Sequence, residues 1–418
     1  MTTTRTVPGF AAEGAAAAAG PSAADPASLA RTEPPQARPT WVEVDLDLIA
    51  ANVAALKAQA AAPRLMATVK ADGYGHGIVP SARAALAGGA DWIGVALVEE
   101  GEELRRAGVT APILVYTEPR PGAAGRLLDS ELTPALYSEP FLAALEDEAA
   151  RRGGGPVDVH LKLDTGMRRV GVPQAEWEDA LRRVRTSPGV RCAGLWSHFA
   201  MADQPGHPFI AAQADEFRRG VELARDLGVQ PDLLHLVNSA GTLHLHDHHW
   251  DMVRPGLAVY GLEPAPGLAE GVGLRPALSW RSRLGLVKVL AAGEAVSYGL
   301  RWSSERDTVI GTVPAGYADG VTRALSNIGE ALVGGRRVPY AGTVCMDQFV
   351  VDLGEHGAVA GDEICLIGEQ RVPGSDQRIA VTADDWARWL GTINYEVVCG
   401  IGKRVPRVYV GSAGVETR

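Results

Sequence analysis

From Trp41 onwards the chain alternates between two apolar periods. "RLMATVKA", "DWIGVAL", "PILVYT", "LTPALYS", "VDVHLKLD", "VRCAGLWSHF", "LLHLVNS" and "DMVRPGLAVYG" carry short, near-continuous apolar runs. Among them lie "LIAANVAALKAQA", "IVPSARAALAGG", "VEEGEELRRAG", "EPFLAALEDEAARRG", "QAEWEDALRRVR" and "PFIAAQADEFRRGVELARDLG". In these the apolar residues recur at the three-and-four spacing of one helix face. Asp45 or Asp47 stands where a cap for the first helix is needed. Strands apolar on both faces, alternating with helices, predict a parallel sheet covered on both sides. About eight such units over roughly 230 residues predict a (β/α)8 barrel of the TIM type rather than an open sheet.

Near Leu274 the pattern changes. "ALSWRSRLGLVKVLAAGEAVSYG", "TVIGTVPAGYADG", "VPYAGTVCMDQFVVDL" and "DEICLIG" read as short strands with Gly-rich turns, interrupted by one helical stretch, "TADDWARWLGT". The expected fold is therefore α/β, with an N-terminal barrel over 40–273 and a mainly β C-terminal domain over 274–418. Residues 1–39 are rich in Ala, Pro and Thr, are interrupted by Pro and Glu, and lack a Leu-rich apolar core. They read as a disordered tail and not as a signal peptide.

Composition narrows the partners. With 46% hydrophobic and 22% charged residues, the chain has an ordinary globular balance. Its net charge of −10 argues against nucleic acid, whose phosphates need a basic face. No apolar run approaches the roughly 20 residues that span a bilayer, so no membrane is expected. Cys192, Cys345, Cys365 and Cys399 form no C-x-x-C pair, which fits reduced thiols in a cytoplasmic protein.

Barrel chemistry collects at the C-terminal ends of strands. Lys70 ends one predicted strand; "KLDTGMRRVG" ends another with Lys162, Asp164, Met167 and Arg169. His198 follows a third, His235, Asn238 and Ser239 a fourth, and Arg254 and Gly256 a fifth. Each residue has a scaffold reading. Lys70 would snorkel to solvent, Tyr74 and Tyr395 would pack with satisfied hydroxyls, His198 would be a core histidine and Arg254 would pair with a carboxylate. The alternative for Lys70 is an amine in a dry pocket, where desolvation favours the nucleophilic neutral form. "HLHDHHW", His244 to Trp250, offers nitrogen ligands, but it falls in a connector between strands and no metal is expected there.

Taken together, "VKADGYGHG", "KLDTGMRRVG", "NSAG…VRPGLAVYG", "VSYG", "GTVCMDQ" and "TINYE" resemble the alanine racemases, from about Trp41 to about Val410. The resemblance implies pyridoxal 5'-phosphate as cofactor, held covalently by Lys70. It implies that Tyr74, Ser239, Gly256, Leu257 and Tyr395 hold the phosphate, with Asn238 beside them. Arg254 would face the pyridine nitrogen, His198 would stack on the ring, and Arg169 would lie near the phenolic oxygen and the substrate. Met346, Asp347 and Tyr317 would lie on the substrate side, and Lys162 matches a lysine that is often carbamylated in the family.

The activity implied is interconversion of L- and D-alanine, supplying D-alanine for peptidoglycan. Inversion is simplest with two bases on opposite faces, and the resemblance names Lys70 and Tyr298. A phenol near pKa 10 is a poor base unless cationic or hydrogen-bonding neighbours lower it. Tyr298 and Lys70 fall in different domains, and the family pairs subunits. A homodimer would then have Tyr298 and Met346 serving the partner's site. An arginine opposite the pyridine nitrogen only donates, which would leave that nitrogen unprotonated and limit transamination. The alternatives are a broader amino-acid or serine racemase, or a pyridoxal-phosphate carrier. The missing export signal speaks against the former, and the second domain of more than 130 residues against the latter.

Overall fold

The computed structural model describes residues 38–355 and 357–414, so the expected disordered tail falls, apart from its last two residues, outside the described residues. The first strand, β1 (Thr40–Asp45), runs straight into the helix Leu46–Gln59. Asp45 is its cap: the carboxylate accepts the Leu48 N–H at 3.0 Å, satisfying a donor that the first turn leaves unpaired. Asp47 instead accepts the N–H groups of Ser412 and Ala413 and ties down the far end of the chain.

Eight parallel strands follow: β2 (Arg64–Thr68), β3 (Trp92–Val95), β4 (Ile113–Val115), β5 (Thr133–Leu136), β6 (Val157–Lys162), β7 (Val190–Trp196), β8 (Leu233–His235) and β9 (Met252–Val253). They pair in the order β8-β7-β6-β5-β4-β3-β2-β9. The Asp251 N–H to Leu234 O bond and the Arg254 N–H to Val237 O bond join β9 to β8 and close the ring. Outward positions such as Leu65, Ile93 and Val159 are buried against helices, in one core with Ile49, Val53 and Leu56. Met66, Leu114, Leu233 and Met252 form a separate inner cluster with Trp92 and Tyr116. This is the packed interior that closed small barrels require.

The remaining strands form two antiparallel systems. β10 (Leu278–Arg283), β13 (Glu330–Val333), β14 (Arg336–Pro339), β16 (Glu363–Arg371), β17 (Arg378–Val381) and β18 (Arg407–Val410) belong to one; β11 (Leu286–Leu290), β12 (Thr308–Val313) and β15 (Phe349–Gly354) form the other. β1 pairs antiparallel with β10 and parallel with β18, so the first strand of the chain is built into this later sheet and not into the barrel. The alternation of "TWVEVD" suits either place, and only the distant partners decide between them.

"VPYAGTVCMDQFVVDL" divides into two strands around a turn, as its composition predicts. β14 stops at Pro339 and β15 begins at Phe349. Between them Gly342 takes φ 82°, and the Cys345 N–H closes a turn on Gln348 O at 2.9 Å. This break exposes the "CMD" segment at the tip of a loop.

Candidate active site

Lys70 follows β2 by two residues. The chain there forms a left-handed helical turn, with Ala71 at φ 54° and ψ 50°, Asp72 at 54° and 47°, Gly73 at 61° and 42°, and Tyr74 at φ 52°. A left-handed helix costs an L-residue roughly 1–2 kcal/mol, so three such residues together cost about 3–6 kcal/mol. Surrounding contacts must hold them. Gly73 N–H bonds Val69 O at 2.8 Å and Gly75 N–H bonds Ala71 O at 3.1 Å. Glu100 accepts the Ala71 N–H at 2.6 Å, and Asp72 accepts the Ile78 N–H at 2.9 Å. The glycine-rich stretch is thus an ordered turn, not a loose loop. Lys70 precedes this turn and Tyr74 closes it. Burial holds the Lys70 ammonium below the usual lysine range, the Arg169 guanidinium adds to this, and Glu100 opposes it.

Arg254 is buried and has no carboxylate partner among the described residues. Its Nη1 donates to His235 Nδ1 at 2.9 Å, and its Nη2 donates to Ser197 O at 2.8 Å and lies 3.2 Å from His198 Nδ1. Since guanidinium only donates, His235 must accept at Nδ1 and carry its proton on Nε2. That Nε2 sits 2.8 Å from His160 Nδ1, so His160 is in turn protonated at Nε2, which has no partner. Burial, then Arg254, pushes His160 down to about 3 and holds His198 and His235 well below the ordinary histidine range. All three rings are neutral at pH 7. Trp196 stacks on His235 and lies under Lys162 Nζ at 4.1 Å and the Arg254 guanidinium at 4.9 Å. Lys162 is 4% exposed, and burial, Arg254 and Arg169 bring it down to about 7. The barrel mouth therefore gathers Lys70, Lys162, Arg169 and Arg254, an array suited to an anionic group.

The donor set fits the cofactor implied by the motifs. Ser239 Oγ accepts the Gly256 N–H at 2.7 Å and the Ala258 N–H at 3.3 Å. A Cβ on Gly256 would lie 2.4 Å from Tyr74 Oη, so only glycine lets that hydroxyl reach the Gly256 backbone. Leu257 opens the short 3-10 turn that follows, and the Tyr395 ring lies 6.2 Å from that of Tyr74. Hydroxyls and backbone N–H groups gathered in this way are the donors a phosphate needs. Asn238 caps the helix Ser239–His244 by accepting the Gly241 N–H at 3.1 Å. Its Nδ2 lies 3.5 Å from His198 Nε2.

Tyr298, Met346, Asp347 and Tyr317 gather elsewhere, on loops of the second system. Thr343 Oγ1 donates to Tyr298 O at 2.7 Å, Tyr317 N–H bonds Cys345 O at 2.9 Å, and Arg404 holds Asp347 at 2.7 Å. The Tyr298 ring is 75% exposed and Met346 52%; neither side chain makes a hydrogen bond among the described residues. Leu300, Tyr317 and Ile393 are also exposed.

The histidine tract is otherwise engaged. His249 accepts the Ala61 N–H at Nδ1 and donates to Gly241 O from Nε2, and His244 donates to Ala202 O. Among the described residues no three His, Cys, Asp or Glu side chains are placed to share a metal ion. The motifs gave no sign of His160, Trp196 or Glu100, which lie under or beside the site. Their only signal was polar or aromatic character within apolar strands and at one helix start.

Residues 44–264 match the family model of the alanine racemase N-terminal domain, and residues 277–409 that of the alanine racemase C-terminal domain. An alanine racemase of Symbiobacterium thermophilum is 48% identical over 375 residues, covering 90% of this chain and 98% of that protein. One from Frankia casuarinae is 47% identical over 377 residues, covering 88% and 95%. Among solved structures, alanine racemase from D-cycloserine-producing Streptomyces lavendulae aligns with a TM-score of 0.85 at 43% identity, covering 90% of this chain and 98% of that one. The enzyme of Streptomyces coelicolor aligns at 0.83 and 42% identity, with the same coverage.

Proposed function

The chain belongs to the alanine racemase family, and from that premise we propose a role for each of its own site residues. The protein is a pyridoxal 5'-phosphate-dependent isomerase that interconverts L- and D-alanine. When bound, the cofactor supplies an electron sink that makes an amino-acid α-proton removable.

Lys70, whose ammonium burial and then Arg169 disfavour, would hold the cofactor covalently and later take or return a proton at Nζ. Tyr74, Ser239, Tyr395 and the backbone of Gly256 and Leu257 would hold the phosphate. Arg254 would donate to the pyridine nitrogen, and neutral His198 would face the cofactor ring. Arg169 steers the substrate carboxylate and the phenolic oxygen. Lys162, about half neutral at pH 7, would add carbon dioxide through its amine, forming the N–C bond of a carbamate and releasing one proton to solvent, and Arg254 and Arg169 would offset the new negative charge.

The second base is Tyr298 of a partner subunit. Its exposed ring and the exposed Met346 suit insertion into another chain's barrel mouth, where the cations help a phenol give up its proton. Asp347 and Tyr317 enter with it. A C2 homodimer makes two such sites, each with its own Lys70. We place the protein in the cytoplasm, supplying D-alanine for peptidoglycan. The division near residue 273 is supported by the change from parallel to antiparallel pairing, with Thr40–Asp45 lent to the second sheet.

The observation that carries this reading is the gathering of half-buried Lys70 and buried Lys162 and Arg254 at barrel strand ends, with Arg169 close enough to act on both lysines. The test is direct. Purified protein should absorb in the visible, lose that absorbance on Lys70→Ala, and interconvert the alanine enantiomers. A Lys70→Ala variant that keeps the absorbance would overturn the assignment.

A further inference from the structure

We propose that His76 is the positioning residue that locks the left-handed turn and thereby sets Lys70 and Tyr74 in register with the cofactor. The proposal rests on the assignment of Lys70 and Tyr74 above.

His76 is completely buried, and its Nδ1 lies 3.1 Å from Gly73 O and 3.0 Å from Tyr74 O. Both partners are carbonyls and can only accept, so Nδ1 carries the proton and is shared between two successive peptide groups of the strained turn. The same Gly73 carbonyl also accepts the His76 N–H at 3.0 Å. Two of the carbonyls that a left-handed turn turns away from the normal ladder are thus satisfied by one imidazole. On its other side the ring packs against Tyr260 at 4.3 Å, and Tyr260 packs against Tyr74 at 5.2 Å. Arg407 donates to Gly75 O at 3.0 Å and closes the turn from outside.

His76 Nε2 has no hydrogen-bond partner in its buried site. A second proton there would have no acceptor, so the geometry admits one tautomer, with Nδ1 protonated and Nε2 bare. Burial also brings this ring down to about 4, which keeps it neutral near pH 7. An imidazole thus serves as a fixed N–H donor rather than as a proton carrier. Tyr74 is gripped twice, through its carbonyl by His76 and through its ring by Tyr260.

The substitutions His76→Asn and His76→Gln separate positioning from mere volume. An asparagine amide nitrogen can stand where Nδ1 stands, whereas a glutamine amide stands nearer Nε2. In the holoenzyme, His76→Asn should keep pyridoxal phosphate affinity and kcat within about threefold. His76→Gln should weaken cofactor affinity about tenfold or more, lower kcat, and shift the visible absorbance of the lysine-bound cofactor, with the KM for alanine little changed. Equal behaviour of the two variants, or wild-type cofactor affinity in His76→Gln, overturns the proposal. If neither variant folds, nitrogen-15 NMR of histidine-labelled wild-type holoenzyme decides. A bare Nε2 and protonated Nδ1 throughout the neutral range support it; the opposite tautomer, or a titration there, sinks it. Lys70→Ala serves as control: persistence of the visible absorbance in that variant would strike the site assignment, not His76.

Discussion

Arg254 Nη1 lies 2.9 Å from His235 Nδ1, and this one contact dictates the protonation of two rings beneath the barrel mouth. A donor-only guanidinium turns His235 so that its Nε2–H faces His160, and His160 keeps its own proton on the unpartnered nitrogen.

Substituting Arg254 by Glu should therefore do two things. Losing a buried, preorganised donor costs about 10²–10³ in rate, so racemisation should fall at least about a hundredfold. A carboxylate opposite the pyridine nitrogen should also raise transamination, measured as pyruvate released per racemisation event. An Arg254→Glu enzyme with unchanged pyruvate release would refute that role.

Gly256→Ala places a methyl group 2.4 Å from Tyr74 Oη. The tyrosine must move, and pyridoxal phosphate affinity should drop about tenfold, a loss of roughly 1.4 kcal/mol. Equilibrium dialysis of the cofactor reads this directly, and unaltered affinity would remove Tyr74 from the cradle.

Lys162 sits at about 7, below its ordinary 10.5, because burial and then Arg254 and Arg169 disfavour its charge. Protonating it therefore opposes folding. The penalty is complete below about pH 7 and fades as the pH rises towards 10.5. In apoprotein, Lys162→Met should raise the melting temperature by about 2–4 °C near pH 6 and by nothing near pH 10.5. Carbamylation requires the neutral amine, so with carbon-13-labelled bicarbonate a carbamate signal should grow above pH 7 in the wild type and be missing from Lys162→Met. A wild type without the signal ends the carbamate assignment.

Tyr298 and Lys70 can be tested in mixed dimers. Lys70→Ala and Tyr298→Phe subunits should each be nearly inactive, by about 10²–10⁴-fold for loss of a general base. In a statistical mixture, half of the dimers are mixed, and each holds one intact site if the tyrosine comes from the partner. Activity should return to about a quarter of wild type. If the tyrosine serves its own chain, the mixture stays dead.

Much of this was legible along the chain, because burial leaves a local trace. The helix Leu46–Gln59 and the barrel strands announce themselves by the spacing of apolar residues, since each must turn one face or both to a core. Lys70, Lys162, His198 and Arg254 stood out as polar groups at strand ends. Tertiary structure alone decided the rest, and each case depends on partners far away in sequence. β1 left the barrel for β10 and β18, because alternation fixes a face but not a neighbour. Ala71 and Asp72 adopt positive φ because Glu100, His76 and Arg407 hold the turn they belong to. His235 and His160 took one tautomer each because a buried guanidinium offers only donors. Residue type determined which chemistry this protein carries; three-dimensional pairing determined which atoms hold the protons.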